Sequence, residues 1–273
     1  MTMQSKDEIP TLFTRASNIS ENQRELAQRI LRGRQPFQMY FNAALEDAKG
    51  GVDNRWFYFS RLGGMVLGID FDDLRIFSIV GDVDDQVLSA VATNSRRTEF
   101  HVSVEDAERI KVIGSRRVIR EARLRYYQLA RRTRFPEEKA DVRRLESTDL
   151  EMVRTFYARN YDGTIFSEWM LGHPFIGLFI DGLMVSCGGT VVLDRAGKAA
   201  NIGNFSTDPS SRGRGYGKIV AKALVNRLID EGIEVFTLGT TEENVPAWKT
   251  YEAVGFGLLE NRIELEFGVL GQK

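Results

Sequence analysis

The stretch "SRGRGYGKIVAKAL", residues 211–224, decides how this chain is read. Gly213, Gly215 and Gly217 alternate with larger residues, Arg212 and Arg214 stand among them, and a helical pattern follows at once. Val220, Leu224 and Leu228 fall at helical spacing. Glycines let a backbone turn its N–H groups onto an anion, and a helix N-terminus adds about half a positive charge. Arg212 and Lys218 add full charges at the rim. The stretch therefore predicts an anion site; the plainer alternative is a tight turn whose glycines serve backbone geometry alone.

Spacing separates this loop from better-known phosphate loops. A P-loop needs G-x-x-x-x-G-K-[ST], but Gly217-Lys218 is followed by Ile219, and Arg212 stands five before Gly217. A dinucleotide fingerprint needs G-x-G-x-x-G, but Lys218 occupies the third glycine's place. An RGG-type RNA-binding segment would be longer and would not run into a patterned helix.

Reading outward, "PFIGLFI", "LMVSCGGTVVLD" and "AANIGNFST" form three apolar runs joined by Asp181-Gly182 and "DRAGK". These are expected to be an antiparallel meander leading into the loop. Upstream, Val142 to Leu145 predicts a first strand. Thr148 and Glu151 form a capping-box pattern for a helix that puts Leu150, Val153, Phe156 and Tyr157 on one face. Residues 163–172 read as a second, shorter helix. Downstream come a strand "EVFTLGTT", a helix "VPAWKTYEAV" and an alternating strand "NRIELEF" that closes the sheet.

Arg212-x-x-Gly215-x-Gly217 resembles the acyl-CoA pyrophosphate loop of the GNAT acetyltransferases. Asp208-Pro209 before it fits the family pattern. So do Asn244, Tyr251 and Gly255-Phe256 after it, including the seven-residue step from Asn244 to Tyr251. The resemblance covers about residues 140–268. It implies an α/β (α+β) fold: a mixed, mostly antiparallel sheet flanked by helices, with its fourth and fifth strands splayed around the pantetheine arm of acetyl-CoA. By the same resemblance, Phe205, Ser206 and Thr207 would pair with pantetheine through their backbone, and Gly203 suits the bulge that the splay needs. Arg212, Gly213, Arg214, Gly215, Tyr216, Gly217 and Lys218 would wrap the pyrophosphate. Asn244 would bond the arm from the other side, and Tyr251 would protonate the leaving thiolate. The fourth strand holds no glutamate to act as base; Glu168 or His173, in the acceptor wall, could serve directly or through water. Cys187, in an apolar strand, is expected to be a small core residue.

The 273 residues carry 37 Lys+Arg against 38 Asp+Glu, a net charge of −1, so no general basic field draws nucleic acid. Residues 116–134, rich in arginine and tyrosine, read as a helix with a solvated face. One cysteine excludes an internal disulfide, which fits a cytoplasmic protein, and two histidines argue against structural zinc. The N-terminus lacks a signal-peptide core, and no run approaches the ~20 apolar residues of a membrane span. Residues 131–141 are expected to be a charged linker, giving domains 1–134 and 135–273.

The first half has its own strand–loop–helix–strand–helix order, echoing the second. Its loop reads "GDVDDQ", and Asp82, Asp84 and Asp85 would repel a pyrophosphate. It is expected to be a degenerate acetyltransferase-like or accessory domain. The functional expectation is an acetyl-CoA-dependent N-acetyltransferase, monomer or homodimer, with a small-molecule or peptide amine acceptor and no metal, nucleic-acid or membrane partner. The alternative is an acyl-CoA-binding regulatory module without turnover.

Overall fold

The computed structural model describes residues 12–70, 74–93, 96–114, 117–161 and 164–269. The chain forms two compact units, each assembled from separated stretches: Met1–Arg125, Thr241–Glu243 and Glu260–Lys273 in the first, Tyr126–Thr240 and Asn244–Leu259 in the second. The boundary expected at 134/135 falls instead inside the second unit's stretch, and the last residues of the chain lie in the first.

In the first unit, α1 (Glu21–Leu31) starts at a capping box of Ser20 and Gln23, as the sequence predicts. It packs with α2 (Phe37–Lys49) over a core that includes Phe41, Phe57 and Met65. The sheet runs β1 (Thr14–Arg15), β2 (Arg55–Phe59), β3 (Met65–Asp70), β4 (Leu74–Val80), β5 (Arg97–Val102), then the end of β12 (Gly257–Phe267). β4 and β5 are parallel and joined through α3 (Asp85–Ala92); α4 (Val104–Gly114) follows β5. Ile263 to Phe267 pair antiparallel with β5. The closing strand predicted for the second half thus completes the first unit's sheet. Its alternation marks a half-buried strand, but alternation carries no information about which neighbour it joins.

The arginine-rich segment is likewise a strand, β6 (Val118–Ala130), and not a helix; residue 116 lies outside the described residues. Leu124, Tyr126 and Leu129 are buried between more exposed arginines and glutamine, and β-branched and aromatic residues favour a pleated surface. Its charges are largely paired: Arg120 Nη1 lies 2.7 Å from Glu264, and Lys111 lies 2.8 Å from Glu121.

The second unit's sheet runs in the order β6, β11 (Val235–Thr241), β10 (Ala199–Thr207), β9 (Leu183–Asp194), β8 (Phe175–Ile180), β7 (Asp141–Arg144). β7 to β10 are antiparallel neighbours, the expected meander. One face is covered by α6 (Tyr216–Asp230) and α7 (Val245–Val254), the other by α5 (Leu150–Asn160). Val220, Leu224 and Leu228 of α6 are fully buried, each worth roughly 1.5–3 kcal/mol of apolar burial. α5 is entered through a 3-10 turn, Ser147–Asp149, whose capping box joins Glu146 to Asp149, so the predicted Thr148–Glu151 box is displaced by two residues. Of the helix predicted over 163–172, residue 163 is outside the described residues, and only Glu168–Gly172 coil, as a 3-10 turn.

The expected linker does have something to bury. Phe135 is 9% exposed within the α6/α7 core. The side chain of buried Asn226 on α6 accepts from Phe135 N (2.6 Å) and donates to Phe135 O (3.0 Å). Replacing Asn226 with Ala leaves both groups buried without a partner. The expected cost is about 2–4 kcal/mol, read as a lower midpoint with unchanged slope in urea unfolding followed by tryptophan fluorescence.

Candidate functional site in the second unit

The site is organised by two departures from a regular sheet. β10 and β11 are paired only over residues 199–201 and 235–237. At the last pair, Asn201 Nδ2 donates to Thr237 Oγ1 at 3.0 Å. Beyond it β10 continues to Thr207 and β11 to Thr241 without mutual pairing. On β10's other edge, Gly203 pairs with Gly189 and Ser206 with Cys187, so three steps on β10 match two on β9. One residue is extra, which is a β-bulge.

The bulge has a readable cause. Asn204 sits at φ 53, a left-handed conformation that non-glycine residues seldom adopt and asparagine tolerates best. Ala200 and Ile202 face the α6/α7 core. Strict alternation would send Asn204 the same way. Instead its side chain meets the α5 face: Asn204 Oδ1 accepts from Thr164 Oγ1 (3.3 Å), and Nδ2 donates to Met170 Sδ (3.4 Å). Phe205 then takes the α6/α7 face, its ring centroid 5.9 Å from that of Tyr251. Gly188 makes the room, since a Cβ there would stand 2.2 Å from Phe205 Cδ1.

At the end of β10, Asp208 accepts from Ser210 N (2.9 Å), starting a 3-10 turn, Pro209–Ser211. The loop follows. Gly213 and Gly215 have φ 76 and 81; a side chain at Gly213 would stand in open space, and a Cβ at Gly215 would lie 3.6 Å from Lys218 Cε. Gly215 is the N-cap of α6, and no side chain caps it; the first turn has no acidic residue. Arg212 and Lys218 are exposed. Arg212 Nε donates to Thr207 O at 3.1 Å, so this arginine also braces the strand end. The loop thus presents a helix N-terminus with its backbone donors uncapped by side chains, flanked by Arg214 and Lys218.

Asn244 is exposed and caps α7, Oδ1 accepting from Ala247 N at 3.4 Å. Tyr251, 6% exposed, is ringed by Phe205, Tyr127 and Phe256. Burial pushes its phenol well above the usual tyrosine range. Glu168 is exposed and its carboxylate pairs with Arg154 at 3.1 Å. His173 is half-buried with its ring edge-on to Trp169. Cys187 is fully buried among the α5-face residues, and burial pushes its thiol up to about 12. The residues that grip the bulge are Tyr157, Thr164 and Met170; the sequence reading placed Tyr157 only on a helix's apolar face and did not name the other two. A buried tyrosine on an amphipathic helix was a signal, because its hydroxyl must find a partner.

The first unit answers the same position differently. At the N-terminus of α3, Asp84 accepts from Val87 N at 3.0 Å and from Tyr58 Oη at 2.7 Å. The Tyr58 hydrogen bond helps hold the Asp84 carboxyl below its usual range. That helix end is closed by its own carboxylate. Elsewhere in this unit Glu99, His101 and Glu264 bring possible ligand atoms within 4.8 Å of one another, a grouping that composition alone did not reveal. Protein groups already contact the carboxylates: Arg120 Nη1 lies 2.7 Å from Glu264, and His101 Nε2 lies 2.7 Å from Glu99.

Comparison with known proteins gives the class. Residues 139–256 match the acetyltransferase (GNAT) family. Solved structures share the fold over nearly the full length. An X-ray structure of a Drosophila protein superposes with a TM-score of 0.71 at 14% identity, covering 94% of this chain and 98% of that one. A GCN5-related N-acetyltransferase from Sphaerobacter thermophilus gives 0.60 at 12%, covering 96% and 97%. Among curated proteins, a [ribosomal protein bS18]-alanine N-acetyltransferase of Haemophilus ducreyi is 35% identical over 63 residues. That stretch is 23% of this chain and 43% of the relative, so the match spans under half of that protein's length. Among the described residues no helix is long and apolar enough to cross a membrane.

A carboxylate placed at Gly215 would lie against the donors of α6 and strain a left-handed position. Gly215→Glu is expected to weaken acetyl-CoA binding by at least about tenfold in calorimetry, while circular dichroism stays native.

Proposed function

We propose that the chain is an N-acetyltransferase that moves an acetyl group from acetyl-CoA to a primary amine by direct attack, using the second unit. The parting of β10 from β11 carries this reading, because it leaves strand edges open for an extended amide-bearing arm. The geometry fits the co-substrate at two further points: the loop turns through left-handed glycines, with open space at Gly213, and the N-terminus of α6 has no side-chain cap. In this reading, residues 205–207 pair with the arm, residues 212–218 hold the pyrophosphate, and Asn244 contributes from α7.

When bound, the thioester supplies an acyl group already activated for transfer. The chain's own residues do the rest. The Phe205 N–H, at the bulge, stabilises negative charge as it develops on the carbonyl oxygen. The new C–N bond forms as the C–S bond breaks, and Tyr251 gives its proton to the departing sulfur. Its raised pKa keeps the phenol protonated across the range in which amines, with pKa of about 10, become nucleophilic. The proton lost by the amine goes to solvent or to a wall residue. Glu168 is a weaker candidate than His173, because its carboxylate is engaged by Arg154.

The test is thiol release from acetyl-CoA with a panel of amines, including peptides that begin with alanine, as the Haemophilus relative invites. Turnover on any amine supports the enzyme. Acetyl-CoA binding with no turnover favours a regulatory module, which the lack of a carboxylate on β10 would suit.

Tyr251→Phe is expected to lower kcat about a hundredfold with little change in acetyl-CoA affinity. The wild-type kcat/KM should rise with pH through the amine's ionisation, with no fall from loss of the acid below pH ~10, because a raised pKa means the proton leaves only above the usual value. A descending limb between neutrality and that pH, absent in Tyr251→Phe, would contradict the assignment.

A further inference from the structure

The α5 face grips β10 at a single peptide. Tyr157, 2% exposed, donates its hydroxyl to the carbonyl oxygen of Asn204 at 2.5 Å. That oxygen belongs to the peptide whose nitrogen is Phe205. We infer that Tyr157 is a positioning residue, whose hydroxyl sets the orientation of the Phe205 N–H toward the thioester oxygen. The inference rests on the acyl-transfer reading above and adds to it a residue on a helix that does not touch the reacting atoms.

Three observations carry it. First, a trans peptide is planar, so its C=O and N–H point in opposite directions. Fixing the Asn204 carbonyl toward α5 directs the Phe205 N–H away from α5, to the side where Tyr251 packs on Phe205. Second, this peptide lies in the gap of the β9 register, between the pairs Gly203–Gly189 and Ser206–Cys187. The regular ladder that would otherwise fix its rotation is interrupted there. Third, Asn204 is in a left-handed conformation, which costs of order 1–3 kcal/mol and persists only where its surroundings enforce it. The enforcing contacts all come from one segment: Tyr157 on the backbone oxygen, Thr164 and Met170 on the side chain.

Tyr157 is itself locked. Its ring lies 5.3 Å from Phe166 and 6.2 Å from Tyr161, in the buried cluster that also holds the Cys187 thiol. Burial, with Cys187 adding to it, keeps the phenol protonated and hence a donor. A tyrosine present only to fill the core would need none of this at that peptide.

The test uses the full-length protein labelled with ¹⁵N-phenylalanine, the Phe205 amide being assigned by its loss in Phe205→Leu. In the wild type, its proton should move downfield with acetyl-CoA and not with CoA, because only the former offers the carbonyl oxygen. In Tyr157→Phe, acetyl-CoA should bind within about twofold, the acetyl-dependent displacement should shrink to under about half, and kcat on an accepted amine should fall about tenfold at unchanged KM. Asn204→Gly, which keeps the backbone bond to Tyr157 and suits the left-handed angle, should retain the displacement. An undiminished displacement in Tyr157→Phe overturns the inference and leaves acyl transfer standing. Absence of acetyl-CoA binding in the wild type overturns both. If Tyr157→Phe does not fold, Tyr157→Phe with Cys187→Ala removes the stranded thiol as well and carries the same readout; failure of both to fold assigns Tyr157 to the core alone and overturns the inference.

Discussion

The second unit depends on one constraint: β10 must be bonded on one edge and released on the other within the same nine residues. The buried Asn201–Thr237 bond closes the paired part. Past it β10 and β11 no longer pair with each other, and buried N–H and C=O groups are rarely left without some partner. In the proposed function, an extended arm with amides of its own would be that partner. The extra residue at Asn204 belongs to the same event. It turns the strand, exchanges the faces of the residues that follow, and brings Phe205 under Tyr251. Gly188 has no side chain because the Phe205 ring lies where its Cβ would be.

The contrast between the two helix N-termini sets the units apart. α6 begins at a left-handed glycine with no side-chain cap and no acid in its first turn. α3 begins at Asp84, which fills the same role with its own carboxylate and takes a second bond from Tyr58. Each helix follows a strand that is parallel to the next one, β4 with β5 and β10 with β11. Like connections with unlike loops support the proposal that the first unit has this architecture without the anion site. Asp85 is engaged as well, by Arg109 at 2.7 Å, so the acidic loop is a braced structural element.

Charge and hydrophobicity act at different scales here. The near-neutral balance of the chain leaves no long-range field, so anion affinity must come from local backbone dipoles and a few side chains. The arginines just after β6 illustrate the point: Arg132 pairs with Glu234, and Arg134 with Asp230 and Glu137. Such exposed pairs contribute little stability each, but they leave those arginines poorly suited to gripping a nucleic-acid backbone.

The local geometry of the candidate site was legible in the sequence because it lies in contiguous chain. The glycine spacing 213–215–217, the cap at Asn244 and the step to Tyr251 are features of contiguous chain, and backbone geometry requires particular residue types there. The meander and helices α3, α4, α6 and α7 were legible for the same reason, since periodicity and turn residues act over a few positions. What the sequence could not determine is non-local. Alternation identified "NRIELEF" as a strand, yet only tertiary packing put it beside β5. The arginine-rich strand was mistaken for a helix because its apolar period of two is overlaid by an adjacent pair, Tyr126 and Tyr127. Phe135 looked like linker until Asn226, far along the chain, supplied both of its hydrogen bonds. The grip of Tyr157 on Asn204 joins positions 47 residues apart. A sequence states which residues can turn, cap or alternate; which carbonyl a buried hydroxyl reaches is decided only when the chain is packed.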